Sequence, residues 1–287
     1  MRYLWSLLVG LVLVSPVFGQ NEDGKFWEHK TQQFEVLSFD RNDTVFLAPR
    51  VVAWKEFFYK RWGLHDIDLN RPCMIVVAET QQKFKDTFHK DSAIPDRKVS
   101  KRFNSSGQEY DQPVYMIAIA SDGNWHRFVL PEKISQTCLM NYEDTFNLKF
   151  PPWLYFGMSA LSNDTEYLRG LFSRGPFNYS SRQLFSESRE NVLKMSPEEQ
   201  QKFIRASAAA CLMLRRGFGQ QKFLNMLSQL TSETDPQQVL NSVYGYRDYS
   251  NFDYAFQAFA QNLAWDINTN KTPRMGLTWL PIQPIAE

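Results

Sequence analysis

The sequence predicts an α+β fold: a small N-terminal mixed sheet with flanking helices, followed by a mainly helical C-terminal half. Two continuous apolar runs of strand length, 73–78 (Cys73-Met74-Ile75-Val76-Val77-Ala78) and 114–120 (Val114-Tyr115-Met116-Ile117-Ala118-Ile119-Ala120), lie in the first half. Past Pro131 the apolar spacing becomes helical and stays so. Strands first and helices after describe an α+β domain rather than a doubly wound one. No Pro- or Gly-rich linker separates the halves, so one domain is expected over residues 20–267, with an extended tail over 268–287.

Each element has its own signal. Phe34-Glu35-Val36-Leu37-Ser38-Phe39 alternates loosely and reads as a strand. Residues 47–62 place Val51, Trp54, Phe57, Phe58 and Trp62 at helical spacing and stop at Gly63. The run 73–78 has the uninterrupted apolar character of a central strand buried on both faces. Thr80 is placed to cap the next helix, which carries Lys83, Phe84 and Phe88. From 89 to 112 the chain is polar, charged and unpatterned, and a long loop is expected. After 114–120, Asp122-Gly123 signals a turn, and a short strand is expected over 125–130. Helices are then expected near 132–142, 153–162, 183–194, 198–216, 220–230, 236–243 and 252–265. The clearest start is Ser196-Pro197-Glu198-Glu199, with Ser at the cap and Pro in the first turn.

Composition narrows the function. Of 287 residues, 43% are hydrophobic and 15% aromatic, ample material for a packed core. A formal charge of +1, with no run of like charge, provides no field to attract nucleic acid. The N-terminus stands apart: Arg2 precedes an apolar stretch over 4–15, Pro16 breaks it, and Val17-Phe18-Gly19 offers small residues near a cleavage point. Residues 1–19 read as a signal peptide, too short in its apolar part for a membrane span of about 20 residues. No Cys follows the run, so no lipid anchor is expected. Secretion or a periplasmic home follows, with no integral membrane domain after cleavage. Cys73, Cys138 and Cys211 have no metal-ligand spacing. Buried thiols are favoured, although one disulfide between two of them stays open.

The most informative stretch is Ile134-Ser-Gln-Thr-Cys-Leu-Met-Asn141 followed by Phe150-Pro-Pro-Trp-Leu-Tyr-Phe-Gly-Met-Ser-Ala160. It resembles the core of gluzincin metallopeptidases, especially the peptidase-MA-like group, where an H-E-x-x-H helix is followed by P-x-W-L-x-E-G-x-A. Pro151, Trp153, Leu154 and Gly157 match the second motif, with Ser159 or Ala160 at its small position. The preceding strands and helices come in the same order, and the helix ending near Gly217 resembles the family's Ala-rich helix. The resemblance implies a zincin-like fold.

It also implies a chemistry that these residues lack. In such a motif two His four apart face the same way and bind zinc, the intervening Glu activates water, and a downstream Glu is the third ligand. Aligned here, the first His position is Gln136, the base is Thr137, the second His is Met140 and the third ligand is Phe156. An amide, a hydroxyl, a thioether and a phenyl do not suit zinc hydrolysis. Shifting the register by one residue, to Thr137, Cys138 and Asn141, suits it no better. No cofactor, metal site or catalytic residue is therefore expected. The leading expectation is an exported pseudopeptidase that binds a peptide or protein segment beside the strand 114–120, taken as a sheet edge. One alternative is a hydrolase using non-metal groups near Cys138 or Glu166, with His126 a conceivable partner for Cys138. The other is a structural envelope component, with Phe156 filling the former metal cavity. The adjacent acids Glu143 and Asp144, and Asp164 with Glu166, are expected to be solvated caps.

Overall fold

The computed structural model describes residues 17–20, 27–88, 95–103, 108–121, 125–173 and 179–268. Among them, six strands form one mixed sheet: β1 (Val17–Gln20), β2 (Trp27–Lys30), β3 (Phe34–Ser38), β4 (Cys73–Ala78), β5 (Asp96–Phe103) and β6 (Glu109–Ala120). Their spatial order is β1-β2-β3-β4-β6-β5. β3, β4 and β6 run parallel, β1 and β2 extend the sheet antiparallel at one side, and β5 pairs antiparallel with β6 at the other. The apolar run 73–78 is thus central, as its unbroken hydrophobicity requires.

Two helices return the chain between parallel strands. Helix α1 (Arg41–Trp62) is capped by the Asp40 side chain, which accepts from Asn42 N at 2.8 Å, and closed by Gly63 in the left-handed region at φ 66°. Helix α2 (Gln81–Phe88) starts at Thr80, whose hydroxyl accepts from Lys83 N at 3.2 Å. Strand alternation divides the sheet between two cores. Cys73, Ile75 and Val77 of β4, with Tyr115, Ile117 and Ile119 of β6, belong to the large core that also contains residues of α1. Ala78, Ala118 and Ala120 form a smaller cluster with Phe84 and Phe88 of α2.

The second half is helical: α3 (Leu130–Phe146), α4 (Pro152–Ala160), α5 (Thr165–Ser173), α6 (Ser181–Ser186), α7 (Arg189–Lys194), α8 (Pro197–Phe218), α9 (Gln220–Ser228), α10 (Pro236–Tyr244) and α11 (Tyr249–Asn268). Helix α8 opens at the expected Ser196 cap, and Ser196 and Glu199 close a capping box there. The α+β arrangement predicted from sequence is the one observed.

Several boundaries differ from expectation. The described parts of 89–112 are not loop: they contain β5 and the start of β6, paired from Asp96↔Met116 to Phe103↔Glu109. Residues 125–130 are not a strand. Trp125–Val129 is a π-helical turn leading into α3, and buried Trp125, Leu130 and Ile134 follow a helical stagger. Helix α1 begins at Arg41, because the Asp40 cap sets its start before the apolar stripe begins. The helix expected over 183–194 is two, since Ser188 accepts from Asn191 N at 3.1 Å and opens α7 afresh. Helix α5, with Leu168, Leu171 and Phe172 buried, was not anticipated. Expected features at 1–16, at Asp122-Gly123 and over 269–287 lie outside the described residues.

Candidate functional site

Helix α3 carries Glu132, Gln136, Met140 and Glu143 at spacings of four, four and three, which puts them along one face. That face is polar at both ends and apolar in the middle. At the N-terminal end Glu132 is buried. Its Oε1 accepts from Gln136 Nε2 at 3.1 Å and from Lys133 Nζ at 3.2 Å. Its Oε2 accepts from Tyr167 OH at 3.3 Å and from Asn163 Nδ2 at 3.5 Å. Lys133 Nζ also donates to Gln136 Oε1 at 3.3 Å. Burying a carboxylate is tolerable only with such partners, and one cation and three neutral donors serve here.

At the C-terminal end Glu143, also buried, accepts from Phe150 N at 2.7 Å and from Arg189 Nη2 at 2.5 Å. It thereby ties α3 to the approach to α4 and to the start of α7. Arg97 of β5 makes a two-pronged contact with Asp144, Nε to Oδ2 at 3.1 Å and Nη2 to Oδ1 at 2.8 Å. Tyr115 OH donates to the same carboxylate at 2.9 Å. Burial would raise the Asp144 carboxyl, but the bonds from Arg97 and Tyr115 together outweigh it and hold the group below its ordinary range. Glu143 is therefore a buried anchor rather than the solvated cap expected of adjacent acids, while Asp144, solvent-exposed as expected, ties β5 to α3 through Arg97. Asp164 does act as a cap, accepting from Tyr167 N at 2.8 Å, and Glu166 is exposed in the first turn of α5.

The four positions that the peptidase resemblance assigns to chemistry are all buried. Gln136 has its amide bonded at both ends, to Glu132 and Lys133. The Thr137 hydroxyl donates to the Lys133 carbonyl at 3.0 Å. Met140 belongs to the main core, and Phe156 sets its ring edge-on against Tyr155 and Phe203. Zinc requires imidazole, thiolate or carboxylate donors, and this set does not fit it. No group of three or more His, Cys, Asp or Glu is placed to hold a metal ion among the described residues.

The shifted register fares similarly. Asn141 is tied to the segment before β4, accepting from Asn70 N at 2.8 Å and donating to Asp68 O at 3.1 Å. Cys138 is 1% exposed, and burial pushes its thiol up. Cys73, pushed up to about 12 by burial, and Cys211 are likewise buried and unbridged. His126 packs on Phe46 and Trp125, whereas the groups around Cys138 are Lys55, Tyr59, Cys73 and Asp66. A Cys138–His126 pair is not formed.

The matched scaffold motif has a packing explanation. The Pro151 carbonyl accepts from Leu154 N at 3.0 Å and Tyr155 N at 3.1 Å, opening α4. Trp153 and Leu154 are buried, with Trp153 against Phe185. At Gly157 a Cβ would come within 2.5 Å of the Ser207 carbonyl oxygen and 2.7 Å of Cys211 Sγ, so α4 meets α8 through a position without a side chain. The strand 114–120 is not simply an edge: β5 covers β6 as far as Met116, and β5 is the outermost strand on that side.

Away from this face, a groove of about 710 Å³ lies at the far end of α3, lined by Leu64, Tyr142, Phe146, Leu148, Leu224 and Leu227 among others. It is roughly two to three helical turns from Gln136. No protein-family model matches this chain, and no curated protein sequence does either. Sequence reasoning missed Glu132, Asn163 and Tyr167. The signal for Glu132 was present, since it stands four residues before Gln136 on the same helix face.

Proposed function

We propose that this chain is an exported, catalytically inactive relative of the metallopeptidases that binds a peptide or protein segment without cutting it. The observation that carries the reading is the state of the four chemical positions. Gln136, Thr137, Met140 and Phe156 are buried and engaged with their own neighbours, while Pro151, Trp153, Leu154 and Gly157 retain a scaffold role. The Gln136 amide and the Thr137 hydroxyl are spent on internal hydrogen bonds, and Met140 and Phe156 are packed into the core.

Peptide capture is supported by the sheet edge. An extended segment adds to an outermost strand through main-chain hydrogen bonds, and β5 is the edge strand beside 114–120, with Val99 64% exposed on it. Ion pairs flank it, Lys98–Asp96 and Lys101–Glu109 both at 2.8 Å, and charges of this kind restrict which chains can add. Export is supported by the basic-then-apolar N-terminus. Cleavage after Gly19 would remove most of β1, leaving a sheet that begins at β2. Among the described residues no helix is long and apolar enough to cross a membrane.

The test is a peptide library offered to the purified mature protein. Binders recovered intact, and weakened at least tenfold by Val99→Asp, are expected. Clean cleavage of library members, or binding that Val99→Asp leaves untouched, refutes the corresponding half of the proposal.

A further inference from the structure

At the opposite end of α3 from Glu132, the C-terminal ends of α1 and α3 and one face of α9 enclose the groove of about 710 Å³. That is the size of a small-molecule site, and such sites are mostly apolar with a few polar groups that fix orientation. Leu64 and Leu227 in its wall are buried, whereas Phe146 is 45% exposed, its ring 4.5 Å from that of Tyr142. An aromatic ring left in water beside an apolar hollow is a surface that the apolar part of a ligand would cover.

The charge around the groove has one sign. Lys222 and His65 line it, and among the described residues no Asp or Glu does. Lys222 is exposed, with its ammonium 5.6 Å from the centre of the Phe218 ring, and among the described residues no carboxylate pairs with it. The surrounding chain repeats the sign: residues 200–232 contain no Asp or Glu. The acids nearest along the chain to the other walls are already matched, Asp66 by Lys55, Glu143 by Arg189 and Asp144 by Arg97. Main-chain donors are scarce as well. The N–H groups of Gly63, Leu64 and Leu148 close the ends of α1 and α3, on Lys60 O at 3.2 Å, Tyr59 O at 3.0 Å and Glu143 O at 3.0 Å. Such walls offer an extended peptide no ladder, and they suit a flexible apolar chain.

We infer that this groove binds an anionic amphiphile, a carboxylate on an acyl chain, with the chain against Tyr142, Phe146 and Leu224 and the carboxylate at Lys222. The inference rests on the groove's own lining and not on the capture of a peptide at β5. Isothermal titration calorimetry of the purified protein with sodium decanoate tests it. One decanoate per chain is expected, with a dissociation constant on the order of 0.1 mM, and decyltrimethylammonium should bind at least about tenfold more weakly. Lys222→Met should weaken decanoate about threefold and Lys222→Glu about tenfold, while Phe146→Ser, which removes apolar wall, should weaken both amphiphiles about threefold. Both positions are exposed, so the variants should unfold at the wild-type temperature. No decanoate binding up to about 1 mM overturns the inference. So do equal affinity for the cationic amphiphile and decanoate binding that survives all three substitutions unchanged.

Discussion

The α4–α8 crossing and the polar face of α3 adjoin one another, yet they are specified by opposite physics. The crossing is dry and steric. Gly157 meets the backbone of Ser207 and the thiol of Cys211, and residues from Ala206 through Leu214 are buried along α8. The α3 face is electrostatic: Glu132, Glu143 and Asp144 are each held by cations or donors from separate parts of the chain. The difference bears on how the peptidase resemblance is weighed. The residues that match the family motif sit in the steric region, where close packing alone demands them. Of those that fail to match, Gln136 and Thr137 sit on or beside the electrostatic face, whereas Met140 and Phe156 are packed into the core. A motif retained for packing is no evidence of a retained reaction.

The comparison can be broken first at Gly157. Gly157→Ala should cost about 3 kcal/mol, the upper end for overpacking a core, because the atom it strikes is backbone and cannot swing aside. Urea denaturation measures this, and a variant as stable as wild type would mean the crossing is not set by that contact. On the electrostatic side, Glu143→Gln keeps an acceptor for Phe150 N but leaves Arg189 without its charge partner, and a loss of about 1–2 kcal/mol is expected by the same method. Gly170 sharpens the steric half. A Cβ there meets nothing within 4 Å, so Gly170→Ala in α5 should stabilise by about 0.5–1 kcal/mol.

Smaller effects concern titration and reactivity. The Asp144 carboxyl is held below its ordinary range, so its contribution to stability is complete above that range and is lost as the pH falls below about 4. Asp144→Asn should therefore flatten the acid limb of the stability profile by less than about 1 kcal/mol, since the Arg97 partner is partly solvated. Thiol reagents at pH 8 should label none of Cys73, Cys138 and Cys211 in the folded protein and all three in urea. Rapid labelling of Cys138 alone would revive a thiol-based hydrolase.

What could be read in advance follows the same division. The central strand 73–78, the stop at Gly63 and the helix cap at Ser196 were legible because each depends on residues adjacent in sequence. β5 was not. Its residues, Asp-Arg-Lys-Val-Ser-Lys-Arg-Phe, show no apolar alternation, and the strand exists through its ladder with β6. The roles of Glu143 and Asp144 were equally hidden, since their partners at Arg97, Tyr115 and Arg189 lie 29–47 residues away in the chain. Helix α5 had a visible i, i+3, i+4 pattern in Leu168, Leu171 and Phe172 and was within reach of periodicity alone. The weakness of Gln136, Thr137, Met140 and Phe156 as zinc donors needed only their side-chain chemistry. That their polar groups are also engaged internally required coordinates.

The most direct trial is elemental analysis of the purified protein after equilibration with excess zinc and exhaustive dialysis. Far less than one zinc per chain is the expected result, with the same melting temperature before and after chelation. Stoichiometric zinc that chelator removes with a fall in stability would mean that imidazole or carboxylate groups converge somewhere these contacts do not reveal, and that the protein is a metalloprotein after all.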